Sequence, residues 1–473
     1  MRLAMAMAMA MTSRLAAGCG DNVNPQRLVA PSANPRQNVM VIDEGFDLSA
    51  QDFHGRVAAA YTERCREPMA DAGATGDPDA GAPSFGDLKR QLLDELATRD
   101  DSCRLEKGIS EKADPLAAVQ RFRARWNDAL RKQRPITDVF TADERAQLLA
   151  PLQAELETFR FHGTATAGTI AHDNPDVRLV LVERPLDSQA GFAASFTCLD
   201  QGEVDQLANL ISDPDVYTAY VNRPVSTLDS DLRDAATAFG VGVVNESFGT
   251  PPRAVIEALQ VANGCPPVDL TLYFELAGYL DFDRARAVAG PPHLTVVSAG
   301  NDGTAINGSA DSQVCLPFRR ESLVVGSTDL AQRHSTFSNF GACVDVYAPG
   351  EWITVSYAGG WLLPAFGTSF SAPLVTRLVS RSAPDPFVPE LARESVLSRI
   401  FPDRSLPLGL FPNDFFFLGV TTFNPTFALT LSTSGPPPAA RRGPHGLGGG
   451  GAARLDARRS RGLLGLLRGP TRR

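Results

Sequence analysis

The chain has 473 residues, a net charge of −9 and 43% hydrophobic residues. That is enough to bury one large core or two, and too apolar for wholesale disorder. The acidic balance excludes a general nucleic-acid binder, and beyond the amino terminus no run reaches the roughly 18 apolar residues of a membrane span. Seven cysteines contain no C-x-x-C pair, which leaves zinc and thioredoxin-like sites without support. With Cys19 set aside, the other six fit three disulfides in an oxidising compartment, or six buried thiols in a reducing one. Lysine occurs only as Lys89, Lys107, Lys112 and Lys132, and arginine carries the remaining positive charge.

In chain order, the start MRLAMAMAMAMTSRLAAGCG has a short apolar run leading through Ala16-Ala17-Gly18 into Cys19. It resembles a bacterial lipoprotein signal over 1–19, although Arg14 interrupts the run. That implies lipidation of Cys19, membrane attachment through it, and a periplasmic or cell-surface (outer-membrane) location, with secretion as the other exported outcome. Asn38–Asp43 (NVMVID) is a short apolar run of the kind found in fully buried parallel strands. Further strands are expected at 178–183, 241–245, 294–299, 323–326 and 344–347, and helices at 203–212, 229–239, 253–263 and 268–287. This alternation predicts an α/β fold: a three-layer, mainly parallel sheet with helices on both faces.

Residues 61–158 break the rhythm. The stretch 70–84 is a Gly/Ala/Pro/Asp-rich linker, and helical patterns follow at 86–98, 115–132 and 142–159. The last opens Thr141-Ala142-Asp143-Glu144, a capping-box signature. The region reads as a helical insertion stapled by Cys65 and Cys103. It divides a catalytic domain at 38–60 and 160–400, which a C-terminal extension (401–435) and a basic Pro/Gly/Arg tail (436–473) follow; disorder is expected of the tail.

Four polar positions stand at strand ends or helix starts of this one sheet, where active sites of such folds gather. Asp43 ends the first strand. His162 opens HGTATAGT. Asn301 follows VVSAG. Ser369 lies in Gly367-Thr368-Ser369-Phe370-Ser371-Ala372-Pro373, before a helix. Singly each has a plain reading: an Asx turn, a structural histidine, a turn, a helix cap. Asp, His and Ser in this chain order, with an Asn between the last two, is one of the known triad orders.

On these blocks the sequence resembles the subtilisin-like serine proteases, the subtilases: VIDEG at Asp43, HGTATAGTIA at His162, VVSAGNDG at Asn301 and GTSFSAP at Ser369. NESFG from Asn245 and TFSNFGACVDVYAPG from Thr336 add to it. The resemblance implies a subtilisin-like fold and a serine endopeptidase acting on protein or peptide substrates. Ser369 would be the nucleophile, His162 the base, Asp43 the orienting acid and Asn301 an oxyanion donor. Ser247, Phe248 and Gly249 would pair with an extended substrate, and Ser298, Ala299 and Gly300 would wall the specificity pocket. It also implies a Cys315–Cys343 disulfide, with Cys198 and Cys265 the remaining pair. No cofactor is required. Asp52 stands where relatives often place a calcium carboxylate, but the loop after Ala171 does not match the companion loop of those relatives; a structural calcium is left without support, and a structural surface acid is the better reading. Ala165 stands where many relatives carry a second histidine, and Arg377 and Arg381 interrupt a normally apolar helix.

The long gap between Asp43 and His162 is expected either to narrow access to the cleft or to be peripheral decoration. Two rival functions remain open: a peptide ligase or macrocyclase on the same fold, and a catalytically silent, surface-anchored binding protein.

Overall fold

The computed structural model describes residues 28–65, 84–109, 112–184, 198–249, 251–287, 290–315, 320–331 and 333–398. Cys19, nearly all of the linker at 70–84, the 401–435 extension and the 436–473 tail lie outside the described residues.

Ten strands are described: β1 (Asn38–Asp43), β2 (Val57–Cys65), β3 (Cys103–Lys107), β4 (Arg178–Glu183), β5 (Val243–Glu246), β6 (Leu294–Ser298), β7 (Ser322–Thr328), β8 (Val346–Pro349), β9 (Glu351–Ser356) and β10 (Leu362–Phe366). The first eight form one sheet in the order β3-β2-β4-β1-β5-β6-β7-β8. Every pairing in it is parallel except that of β3 with β2. The apolar runs need cover on both faces, and they receive it. Val39, Val41, Leu181, Val296 and Val325 face one layer, and Met40, Ile42, Val180 and Val244 face the other.

Eleven α-helices are described: α1 (Phe85–Ala97), α2 (Arg123–Arg131), α3 (Ala142–Thr158), α4 (His162–Ala171), α5 (Gln201–Ser212), α6 (Pro214–Asn222), α7 (Thr227–Ala238), α8 (Arg253–Ala262), α9 (Thr271–Ala287), α10 (Thr368–Ser382) and α11 (Pro389–Leu397). Helices α4 and α10 lie side by side on the first face, through Ala167, Ile170, Ala372, Val375 and Val379. Helix α7 covers part of the other face with Ala235 and Ala236. The two arginines do not end α10: Arg377 is 8% exposed, and its Nη1 donates to the His172 carbonyl at 3.3 Å. No helix among the described residues is long and apolar enough to cross a membrane.

The segment 61–158 is helical where expected, and the capping box at Thr141 and Glu144 forms. It is not helical throughout. Val57–Cys65 extends the sheet beside β4, and Cys103–Lys107 closes its edge. The sequence pattern hid β2 because three consecutive alanines carry little strand preference; pairing with β4 overrides that. Cys65 and Cys103 are direct cross-strand partners, so their disulfide staples the sheet edge rather than a helical module. The helices also separate. Helix α1 packs on α5 and α6, and its Leu92 and Leu96 join a cluster to which α8 and α9 also contribute. Helices α2 and α3 bury Trp126, Leu130, Leu148 and Leu152 against the β9–β10 hairpin, in a cluster that contains Phe161 and Phe370. The disulfides Cys198–Cys265 and Cys315–Cys343 also form.

Candidate active site

Asp43 is the last residue of β1 and is fully buried. Its Oδ1 accepts the Glu44 backbone N–H at 2.7 Å and faces His162 Nδ1, also at 2.7 Å. Its Oδ2 accepts the Thr166 hydroxyl at 2.9 Å. His162 opens α4, and Thr166 follows one turn later, so both meet the same carboxylate from one helix face. Sequence reading passed over Thr166, although its spacing of four from His162 was the available signal. The approach is close because Gly45 and Gly163 lack side chains. Gly163 N donates to the Glu44 carbonyl at 2.6 Å, and a Cβ on Gly45 would lie 1.9 Å from the Arg160 carbonyl oxygen.

Burial alone would push the His162 imidazole below its ordinary value. The charge and hydrogen bond of Asp43, with Glu44 behind it, outweigh that and hold its pKa above 6.5.

Ser369 lies in the first turn of α10, on the helix packed against α4. It does not cap the helix: the cap position is Gly367, at φ 132°. The Ser369 hydroxyl instead donates to the Ser247 carbonyl at 2.9 Å, and Ser369 is 9% exposed. Phe370 places its ring 5.3 Å from that of His162. Asp43 and His162 are therefore in direct contact, while Ser369 is hydrogen-bonded to the adjacent strand end.

Asn301 is exposed, beyond the end of β6. Its Oδ1 accepts both the backbone N–H of Thr368 at 2.8 Å and its hydroxyl at 2.9 Å. Two donors on one oxygen fix the amide, so Nδ2 is the atom left to donate elsewhere. A Cβ on Gly367 would stand 3.3 Å from that Nδ2 and 3.7 Å from Ser369 N. The missing side chain thus leaves a space flanked by two N–H donors at a helix N-terminus, suited to an anion. Thr368 also accepts from Gly300 N at 3.2 Å, tying the two loops together. Gly300 has φ +99, and a Cβ there would come within 2.4 Å of Asn339 Nδ2, which donates to the Ala299 carbonyl at 2.9 Å.

Ser247, Phe248 and Gly249 leave β5 beside Ser369. Asn245 Nδ2 donates to the Ser247 hydroxyl, and Asn245 Oδ1 accepts from Thr376 of α10, both at 2.9 Å. Phe248 packs against the cluster of Met40 and Val182, and Gly249 faces Val314. Ser298 and Ala299 are buried, and Gly300 is half-buried. Asp52 is only 19% exposed at its side chain. It accepts the Ser356 hydroxyl and lies 3.9 Å from His172 Nδ1, so it belongs to an internal contact more than to the open surface. Among the described residues one group of three has metal-ligand spacing, Glu63, Cys65 and Cys103, and its sulfurs are joined in a disulfide.

The sequence pattern of the subtilase family matches residues 36–383. Proteinase R of Parengyodontium album is 33% identical over 151 residues, 30% of this chain and 38% of that protein. Alkaline serine protease ver112 of Corniculantispora psalliotae is 40% identical over 90 residues, 18% of this chain and 22% of its own. The matches thus span well under half the length of these relatives. Among solved structures, a cold adapted subtilisin-like serine proteinase aligns over 84% of this chain and 96% of its own, at 16% identity and a TM-score of 0.36. The PatG macrocyclase in complex with peptide aligns over 84% and 92%, at 15% identity and a TM-score of 0.40. Because the family pattern runs through β1, α4, β6 and α10 and covers most of the chain, the protein belongs to the subtilase family.

Proposed function

We propose that the protein is a serine endopeptidase in which Ser369, His162 and Asp43 form a catalytic triad. The observation that carries this reading is the 2.7 Å contact of buried Asp43 with His162 Nδ1, on the helix packed beside α10, whose first turn carries Ser369. Asp43 holds the tautomer with its proton on Nδ1, which leaves Nε2 free as a base. Attack requires the Ser369 hydroxyl to turn from the Ser247 carbonyl to Nε2. The oxygen then bonds to the scissile carbonyl carbon while its proton passes to His162. Asn301 Nδ2 and Ser369 N receive the negative charge that develops on the carbonyl oxygen. His162 returns the proton to the leaving amine as the C–N bond breaks, and water repeats the sequence on the acyl-enzyme.

Residues 246–249 offer backbone for an extended peptide to pair with, and Ser298, Ala299 and Gly300 wall the pocket beyond it. The three disulfides support assembly in an oxidising compartment, in keeping with an exported protein carrying a lipidated Cys19.

The test is labelling of the full-length protein by a fluorophosphonate probe. Labelling should occur in the wild type and vanish in Ser369→Ala. A folded wild type that fails to label overturns the reading in favour of a binding protein. Product masses from a model peptide then separate hydrolysis, which adds one water, from ligation, which adds none.

A further inference from the structure

Helix α3 ends at Thr158, and His162 opens α4. The turn between them is held by side chains that the triad does not include. Glu155, in the last turn of α3, is 2% exposed, a rare setting for a carboxylate. Its Oε1 accepts the Arg160 backbone N–H at 3.2 Å and the Tyr357 hydroxyl. Its Oε2 accepts Arg160 Nε at 3.1 Å and Nη2 at 2.7 Å. Tyr357, fully buried beyond the end of β9, accepts the backbone N–H of Phe161 at 3.0 Å. One carboxylate and one phenol therefore fix the backbone N–H groups of Arg160 and Phe161, the two residues before His162.

The same turn touches the site on its other side. Phe159 adopts φ 44°, and its ring stands 6.0 Å from His162, 5.1 Å from Tyr357 and 5.4 Å from Phe370. The Arg160 carbonyl occupies the space where Gly45 has no Cβ, two residues past Asp43. An apolar residue in place of Glu155 would fill the volume without desolvating a charge. What the carboxylate alone supplies is direction: four donors arranged about it leave the turn one conformation.

We propose that Glu155 is a positioning residue, which acts through Tyr357 and the turn 159–161 to orient the His162 ring between Asp43 and Ser369. Helix α3, from the long segment between Asp43 and His162, is then part of the support of the site. This inference rests on the peptidase reading.

The test uses Glu155→Gln, Tyr357→Phe and the double variant in the full chain. Misorientation of His162 should lower kcat for a peptide substrate by roughly ten- to a hundredfold, with KM within about twofold. The acidic limb of the pH profile should move to lower pH, because the hold of Asp43 and Glu44 on the imidazole loosens. The double variant should lose no more than the worse single one, since both act through one network. In protein carrying nitrogen-labelled histidine, the low-field Nδ1–H resonance of His162 should shift or broaden.

Folded variants with wild-type kcat, an unmoved acidic limb and an unchanged His162 resonance would overturn the inference. If Glu155→Gln does not fold, Tyr357→Phe carries the test, because it keeps the ring and removes only the hydroxyl. If the wild type fails to label with fluorophosphonate, the peptidase reading falls instead, and the resonance still reports on the positioning.

Discussion

Asp43 Oδ1 and His162 Nδ1 stand 2.7 Å apart across 119 positions of sequence. The imidazole is held above its ordinary value, because Asp43 and Glu44 outweigh the opposing effect of burial. A group raised on folding contributes stability that is full below about pH 6.5 and is lost as pH rises through the folded value. Turnover runs the other way, since the base must be neutral to accept a proton. We therefore expect the acidic limb of kcat/KM to have its midpoint above 6.5; a midpoint at or below it contradicts the arrangement.

Thr166→Val removes the hydroxyl that donates to Asp43 Oδ2 and keeps the shape of the side chain. A buried carboxylate oxygen then loses its donor, at a cost of about 1–2 kcal/mol. If about 1 kcal/mol of this reappears in the transition state, kcat falls roughly fivefold. Steady-state kinetics and thermal unfolding check both halves, and a variant of unchanged turnover and higher midpoint would contradict the role given to Thr166.

Gly45 and Gly55 share a left-handed backbone, φ +71 and +69, but differ in surroundings. A Cβ on Gly45 meets the Arg160 carbonyl at 1.9 Å, and one on Gly55 meets nothing within 4 Å. Gly55→Ala should lose only the conformational preference, about 1–2 kcal/mol. Gly45→Ala adds displacement of the chain before His162 and should lose about 2–5 kcal/mol together with activity. Equal losses in denaturant melts would show that the turn at Arg160 yields freely.

Removing Cys198–Cys265 should destabilise more than removing Cys315–Cys343. The sequence separations are 67 and 28, so the first closes the longer loop in the unfolded chain. Loop entropy sets the difference at about 0.8 kcal/mol, within total effects of about 2–5 kcal/mol each. Paired serine variants compared by urea unfolding measure it, and the reverse order would point to strain or residual structure.

His172→Ala probes the contact with Asp52. Burial pushes the Asp52 carboxyl up, but His172 and the Ser356 hydroxyl outweigh it and bring it below 3.8. His172 is raised above 6.5, chiefly by Asp52. The lowered acid contributes above its unfolded value and the raised base below its own, so their mutual stabilisation is full between about pH 4 and 6.5. The difference in melting temperature between wild type and variant should peak in that window and shrink on both sides. A difference that does not vary with pH would exclude the pairing.

Much of the frame was legible in short stretches of chain. Apolar runs such as NVMVID and LTVVS announce buried parallel strands because such strands are covered on both faces, and Thr141 with Glu144 marks a helix start by local hydrogen bonding alone. The hairpin β9–β10 and helices α6 and α11 went unread, although Asp213-Pro214 is a helix-start signal for α6 and Pro389 opens α11. Trp126 and Asn127 read as ordinary helix residues, yet Trp126 Nε1 donates to the Leu362 carbonyl at 2.7 Å and Asn127 bonds Gly360 and Leu362. Those contacts join elements more than 200 positions apart.

By itself the sequence determined the family, the parallel α/β plan and the identity of Asp43, His162, Asn301 and Ser369 as the polar groups at its strand ends and helix starts. The family follows from the resemblance of the blocks around those four residues, and the plan from local composition, periodicity and order along the chain. Only the tertiary structure decided that β2 and β3 extend the sheet, that Ser369 rests on Ser247, and that Glu155 and Tyr357 grip the turn before His162. Those outcomes depend on strand register and on which side chains meet across a folded core, and no short stretch of chain encodes either one alone.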